Sequence, residues 1–286
     1  MKRWVPIATS AIAVITTAAA VALAVGGVRW GRGTVRAVGR LTPPRPAARG
    51  VAAVYGPEQL VGLPAPVARY FTFALTPGQA LVHYARFEQR GDFATRPGAW
   101  RPFTAFEHVT VTPPGFVWDA TIRMAPLAAV RVRDSYLDGA GAMDGRLAGL
   151  VPIVRQGGTP EMAEASLQRY LAEAPWLPTA LLPAAGVTWT AVDDSTARAT
   201  LVDGATTARV EFRFGARGEI VGVAAERYRD VRGTPVRTAW TGRFWDYARV
   251  DGMMVPRQGE VAWVLPDGPA PYWRGQIAGA RYERVR

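Results

Sequence analysis

The chain has 286 residues, 49% of them hydrophobic, with a formal net charge of +11 and no cysteine. A sizeable core can form, which excludes global disorder; the lack of thiols excludes disulfides, thiolate nucleophiles, iron–sulfur clusters, Cys-based zinc sites and a lipid-modified cysteine. Lys2 is the only lysine, and the arginines that make up the rest of the positive charge are spread along the chain, so no nucleic-acid partner is expected.

Met1, Lys2 and Arg3 precede an uncharged run from Trp4 to Val28, which ends at Arg29 and Arg32. As a helix this run would be about 37 Å long, enough to span a bilayer with some tilt. Residues 1–28 are therefore expected to form a membrane anchor, a single transmembrane helix of the signal-anchor type. A cleaved signal peptide is the rival reading, because residues 18–24 offer small-residue cleavage positions, although its apolar region is usually shorter. Arg29, Arg32, Arg36, Arg40, Arg45 and Arg49 follow the run and favour a cytoplasmic domain. The signal-like amino terminus favours the opposite side, and the expectation is an extracytoplasmic domain. Residues 29–62, which include Pro43, Pro44 and Pro46, read as an Arg/Pro/Gly-rich linker.

From Leu63 the pattern changes. Pro64 and Pro66 precede Val67, Tyr70, Phe71 and Ala74, spaced as one face of a short helix. Strands are expected over 80–87, 103–112, 116–124 and 129–137. Phe116, Trp118, Ala120, Ile122 and Met124 alternate with Asp119, Thr121 and Arg123, and Val130 and Val132 with Arg131 and Arg133, the pattern of a sheet with one buried and one wet face. Gly139, Gly141, Asp144 and Gly145 read as a turn, not a phosphate loop, because no lysine follows. Thr159, Pro160 and Glu161 open a helix whose apolar stripe is Ala163, Leu167, Tyr170, Leu171 and Ala174, with Pro175 as its stop. Residues 176–183 read as a second, shorter helical turn. Further strands are expected over 187–192, 197–202, 208–214, 219–228, 238–250, 253–265 and 272–285, with hairpin signals at Asp203-Gly204 and Asp251-Gly252. Residues 63–286 are thus expected to be a single mainly β (α+β) domain. It would be a curled antiparallel meander sheet, a half-barrel of about eleven strands with helices on its concave face.

Few residues announce chemistry. His83 and His108 are the two histidines, and their spacing does not suit a zinc site, so no metal or cofactor is expected. Glu107, His108 and Asp119 read as solvated strand charges, since sequence neighbours in a strand point to opposite faces. None of the serines lies in a nucleophile-elbow context. Asp134 falls on the face of Val130, Val132 and Tyr136, where an inward carboxylate needs an arginine or tyrosine partner. Trp118, Ile122, Asp134, Tyr136, Trp240, Phe244, Trp245 and Trp263 are the candidate lining of an apolar ligand cavity, with plain core packing as the alternative.

The stretches 63–70 (LPAPVARY), 136–145 (YLDGAGAMDG) and 167–183 (LQRYLAEAPWLPTALLP), with Trp240 and Phe244 to Tyr247, resemble a bacterial family of unknown function from about Leu63 to the C-terminus. The strand–helix order is also similar to the lipoprotein-carrier fold of LolA and LolB, in which an acyl chain lies between a curled sheet and a helical lid. That resemblance implies a LolA-like domain over 63–286 in a single-pass protein of the bacterial cell membrane. The expected function is non-enzymatic binding of a lipid or other apolar ligand. An envelope interaction or sensor protein with a closed core, meeting a membrane-protein partner, is the first alternative; an enzyme using carboxylate chemistry at Asp134 or Asp119 is the second.

Overall fold

The computed structural model describes residues 5–41, 54–126 and 128–285, with the side chains of residues 5–16, 18–20 and 22 lying outside that description. Helix α1 (Val5–Leu41) opens the chain and α2 (Ala65–Ala74) follows a bridge between Val54 and Ala80. Six strands come next: β1 (Val82–Ala94), β2 (Trp100–Thr110), β3 (Gly115–Ala125), β4 (Ala128–Leu137), β5 (Ala140–Leu147) and β6 (Val151–Gly157). Helix α3 (Pro160–Glu173) and three 3-10 turns between Ala174 and Ala185 lead to the second half. That half comprises β7 (Val187–Ala191), β8 (Thr196–Asp203), β9 (Thr206–Phe214), β10 (Ile220–Val231), β11 (Thr234–Val250), β12 (Met253–Leu265) and β13 (Gly268–Arg284).

All thirteen strands form one antiparallel sheet in the order β6-β5-β4-β3-β2-β1-β13-β12-β11-β10-β9-β8-β7. Each half is a meander, and the β1–β13 pairing joins the two halves. The sheet curls until its ends communicate: Tyr136 on β4 donates to Asp203 on β8 at 2.8 Å, and Gln156 on β6 donates to Asp230 on β10 at 2.8 Å. Helix α3 fills the seam between those ends. Arg227 of β10 donates to its Ala165 carbonyl at 2.8 Å, Gln168 donates to the Glu226 carbonyl at 3.0 Å, and Arg169 reaches Asp134 on β4 at 2.6 Å. Thr159 caps this helix by accepting from the Met162 amide, with Pro160 in the first turn.

Two expectations are corrected. Residues 140–145, expected to be part of a turn, belong to β5, and 151–157 form β6, so the sheet has thirteen strands and the turn before β5 is confined to Asp138-Gly139, both at positive φ. Glycine in β5 serves packing, because a Cβ on Gly141 would lie 2.3 Å from the Met162 carbonyl oxygen of α3. The expected linker is likewise helical over 29–41. Gly26, Trp30, Thr34, Val38 and Leu41 recur every three or four residues and form a docking face that arginine-rich composition conceals. Residues 42–53 of that linker lie outside the described residues. The expected anchor also falls largely on side chains outside them; among the described residues no helix is long and apolar enough to cross a membrane.

The docking face of α1 meets the outer face of the sheet, opposite α3. A Cβ on Gly26 would lie 2.5 Å from the Ala148 carbonyl oxygen, so the helix approaches the β5–β6 turn at backbone contact. Trp30 is 3% exposed; its indole donates to Asp119 at 2.8 Å and lies 4.3 Å beneath the Arg133 guanidinium. Leu41 packs with Val117 and Leu137 in a small second core. The face expected to be wet is therefore covered along β3 and β4.

Candidate functional site

Strand register builds the centre of the inner face. Phe87, Glu107, Trp118, Asp134 and Met143 are directly opposed on β1 to β5, so their side chains form one row. Gln89 lies one pleat further along β1. The Trp118 indole donates to the Gln89 side-chain oxygen Oε1 at 2.8 Å, and the Gln89 side-chain nitrogen Nε2 donates to Glu107 at 2.7 Å. Arg169 descends on this row from α3. Its guanidinium lies 2.6 Å from Asp134, 2.8 Å from Glu173 and 3.6 Å from Glu107, and its centre sits 4.9 Å and 5.0 Å from the Phe116 and Trp118 rings.

One arginine thus faces three carboxyl groups. Burial would lower the Arg169 pKa, but Glu173, Asp134 and Glu107 together outweigh it and raise it. Burial and then the Glu173 charge push the Glu107 carboxyl well above its usual range, against Arg169 and Gln89. Burial also raises Asp134, though Arg169 opposes it. Glu107 and Glu173 are in hydrogen-bond contact, so a protonated Glu107 can donate to its neighbour.

Glu107 is 1% exposed, which corrects its reading as a solvated strand charge. It shares a face with Phe103, Ala105 and Val109, all buried, so the alternation of β2 already marked that face as interior. His108 points the other way and pairs with the Tyr84 hydroxyl at 2.6 Å; burial lowers its pKa. His83 is half-buried at a register shift of β1. Asp134 has the arginine partner its inward position required.

Trp118, Ile122, Tyr136, Trp240 and Phe244 are buried on the inner face with Asp134. The Trp240 indole donates to Tyr272 at 3.0 Å, beneath the Arg227 guanidinium at 4.7 Å, and Trp263 is half-buried and stacked on Tyr272. Trp245 is not with them. It follows Phe244 in β11, points to the opposite face, is 39% exposed and donates to Gln258. Residues that sequence reasoning did not single out complete the site: Gln89, Arg169, Glu173, Arg227 and Trp176. Arg169 carried a signal, the i, i+4 pairing with Glu173 on a helix whose other face is apolar.

Trp176 closes the interior. It meets Phe244 edge-on at 5.9 Å, Trp273 at 5.9 Å and Phe87 at 6.3 Å. The space left between Phe87, Glu107, Phe116, Tyr170, Glu173 and Trp176 is about 10 Å³, enough for one water-sized molecule. Among the described residues no group of three or more His, Cys, Asp or Glu is placed to hold a metal ion. Asp134 is locked to Arg169, and Asp119 is held by Trp30 and Thr34 of α1.

No curated protein matches the chain. Among solved structures it is similar to a LolA superfamily protein from Nitrosomonas europaea, at 11% identity over 78% of this chain and 94% of that one, with a TM-score of 0.38. It is also similar to a beta-barrel-like protein of the domain of unknown function DUF1849 from Brucella abortus, at 9% identity over 71% and 98%, with a TM-score of 0.21. The family model of DUF6920, a family of unknown function, matches residues 61–282, and the chain belongs to that family.

Proposed function

We propose that this is a non-enzymatic binding protein, held at the bacterial membrane by its N-terminal helix, that takes an acyl chain or similar apolar ligand between the sheet and residues 174–185. The observation that carries this reading is the construction of that segment. Its backbone hydrogen bonds are local ones, from Leu177 to Ala174, Ala180 to Leu177, Leu182 to Thr179 and Ala185 to Leu182. Among the described residues, the strands reach its backbone through two side chains, Tyr282 to the Trp176 carbonyl and Trp189 to the Leu181 carbonyl. The indole nitrogen of Trp176 and the hydroxyl of Thr179 are buried without partners. The segment is an apolar plug, with Trp176, Leu177, Leu181 and Leu182 inserted among the aromatic residues of the sheet.

Magnitudes decide what could replace it. Exposing those four side chains costs roughly 6–12 kcal/mol at about 1.5–3 kcal/mol each. Each buried ligand methylene returns about 0.8 kcal/mol, so a chain of roughly 8–15 methylenes offsets the opening and a short one does not. Native mass spectrometry of the full chain with straight-chain fatty acids of graded length should show binding only above that threshold. Trp176→Ala should move the threshold to shorter chains. A second reading, a partner-recognition protein with a permanently filled core, is favoured by the 10 Å³ interior. It is the outcome if no chain length binds and protein extracted from its native membrane carries no lipid.

A further inference from the structure

A groove of about 330 Å³ lies on the outer face of the sheet, between α1 and the far ends of β3 and β4. Leu23 and Gly27 of α1, Thr121 and Arg123 of β3, Arg131 of β4 and Ala148 of the β5–β6 turn line it. The charges around it are unevenly matched. Asp119, Arg133 and Asp144 form one row across β3, β4 and β5, and Asp144 also pairs with Arg146 at 3.0 Å. In the next row Thr121, Arg131 and Arg146 are directly opposed, so Arg131 faces a second arginine across the strands. Arg131 and Arg123 form no ion pair or hydrogen bond with any other described residue, and they leave two uncompensated positive charges in one concavity.

A second feature of the same place selects the occupant. Leu23 of α1, 47% exposed, and Ala125, Pro126, Ala128 and Ala129 at the β3–β4 end line the same groove, so apolar surface lies beside the arginines. A soluble anion would use the arginines and ignore that surface. An amphiphile uses both, with its charged group against the guanidinium fork and its chains along the apolar lining. We propose that this groove binds the phosphate of an anionic phospholipid headgroup, with Arg123 and Arg131 as its ligands. The site is on the opposite face from the interior and stands independently of the acyl-chain reading.

The test uses the full chain in neutral detergent, titrated with phosphatidylglycerol or phosphatidylcholine and read by native mass spectrometry. The structure predicts preferential retention of phosphatidylglycerol. Losing two surface arginines, in Arg123→Gln/Arg131→Gln, should weaken that retention roughly 30-fold at low salt, and about 0.5 M salt should shrink the difference. Arg209→Gln/Arg281→Gln removes the same charge elsewhere and should leave retention unchanged, and thermal melting confirms that both variants fold. Equal retention of the two lipids, or equal losses in both double variants, overturns the proposal. Displacement of phosphatidylglycerol by about 10 mM inorganic phosphate also overturns it, in favour of a site for soluble phosphate.

Discussion

Arg169→Met is the most informative single change at the centre of the sheet. Methionine keeps much of the side-chain volume but leaves Glu107, Asp134 and Glu173 together without their shared cation. Removing one partner of a buried ion pair typically costs about 3–5 kcal/mol, because the other charge stays buried and uncompensated. The loss of the arginine's position against Phe116 and Trp118 adds to that cost. For a domain of this size the change corresponds to a fall in Tm of about 6–20 °C. The deficit has a direction with pH. Glu107 and Asp134 already sit above their usual values, and without the guanidinium they rise further. The folded variant then holds protons that the unfolded chain releases, so its stability rises on acidification and the deficit narrows from pH 8 to pH 5. Thermal melts followed by circular dichroism across that range measure both effects. A deficit below about 1 kcal/mol that does not change with pH would refute this account of the network, since surface pairs behave that way.

Glu107→Gln tests the same carboxyl from the other side. The amide can still accept from Gln89 and donate to Glu173, but it cannot ionise. In the native protein the raised Glu107 pKa gives stability that is fully present below the usual value near 4.5 and lost as pH rises through the folded value. The variant should match the native protein at pH 4 and exceed it at pH 8 in urea titrations; a lower midpoint at both would sink the idea. Gly141→Ala places a Cβ 2.3 Å from the Met162 carbonyl oxygen and should cost at least about 1–3 kcal/mol, read as a lower urea midpoint at constant slope. An unchanged midpoint would mean that α3 can retreat from β5. Trp30→Ala should release the docked half of α1, at a local cost of about 3–5 kcal/mol. Amide exchange over 30–41 should accelerate more than about 100-fold while the strands keep their protection, and uniform acceleration would contradict local docking.

Much of the sheet was legible because hairpin chemistry is local. Asp251-Gly252 announces its turn, and both residues adopt the positive φ angles such a turn requires. Helix α3 was legible from Thr159, Pro160 and its apolar stripe for the same reason. The resemblance to a family of unknown function rested on stretches such as 136–145 and 167–183, and the family match from 61 to 282 bears it out. What failed depended on contacts distant in sequence. Gly141 of β5 is required because α3 presses on it, and the helix over 29–41 forms because β3 and β4 offer it Asp119, Arg133 and Val117. The site was legible in part. Asp134 demanded a partner, but nothing short of the fold identifies Arg169, 35 residues later, as that partner. Trp245 was misplaced by treating aromatic clustering as stronger evidence than strand alternation.

The docking of both helices on β3 and β4 bears on how this register is specified. Trp118 and Asp119 are adjacent in β3, and their direct cross-strand partners in β4 are Asp134 and Arg133. The inward pair, Trp118 and Asp134, receives Arg169 of α3; the outward pair, Asp119 and Arg133, receives Trp30 and Thr34 of α1. A slip of one residue in a strand sends every side chain to the opposite face. Here it would expose an indole and bury an aspartate or an arginine, and it would break both helix attachments at once. In most sheets a hydrophobic face alone penalises such a slip. In this hairpin polar recognition on the outer face penalises it as well, so the alternating charges that read as a wet surface help to hold the strands in place.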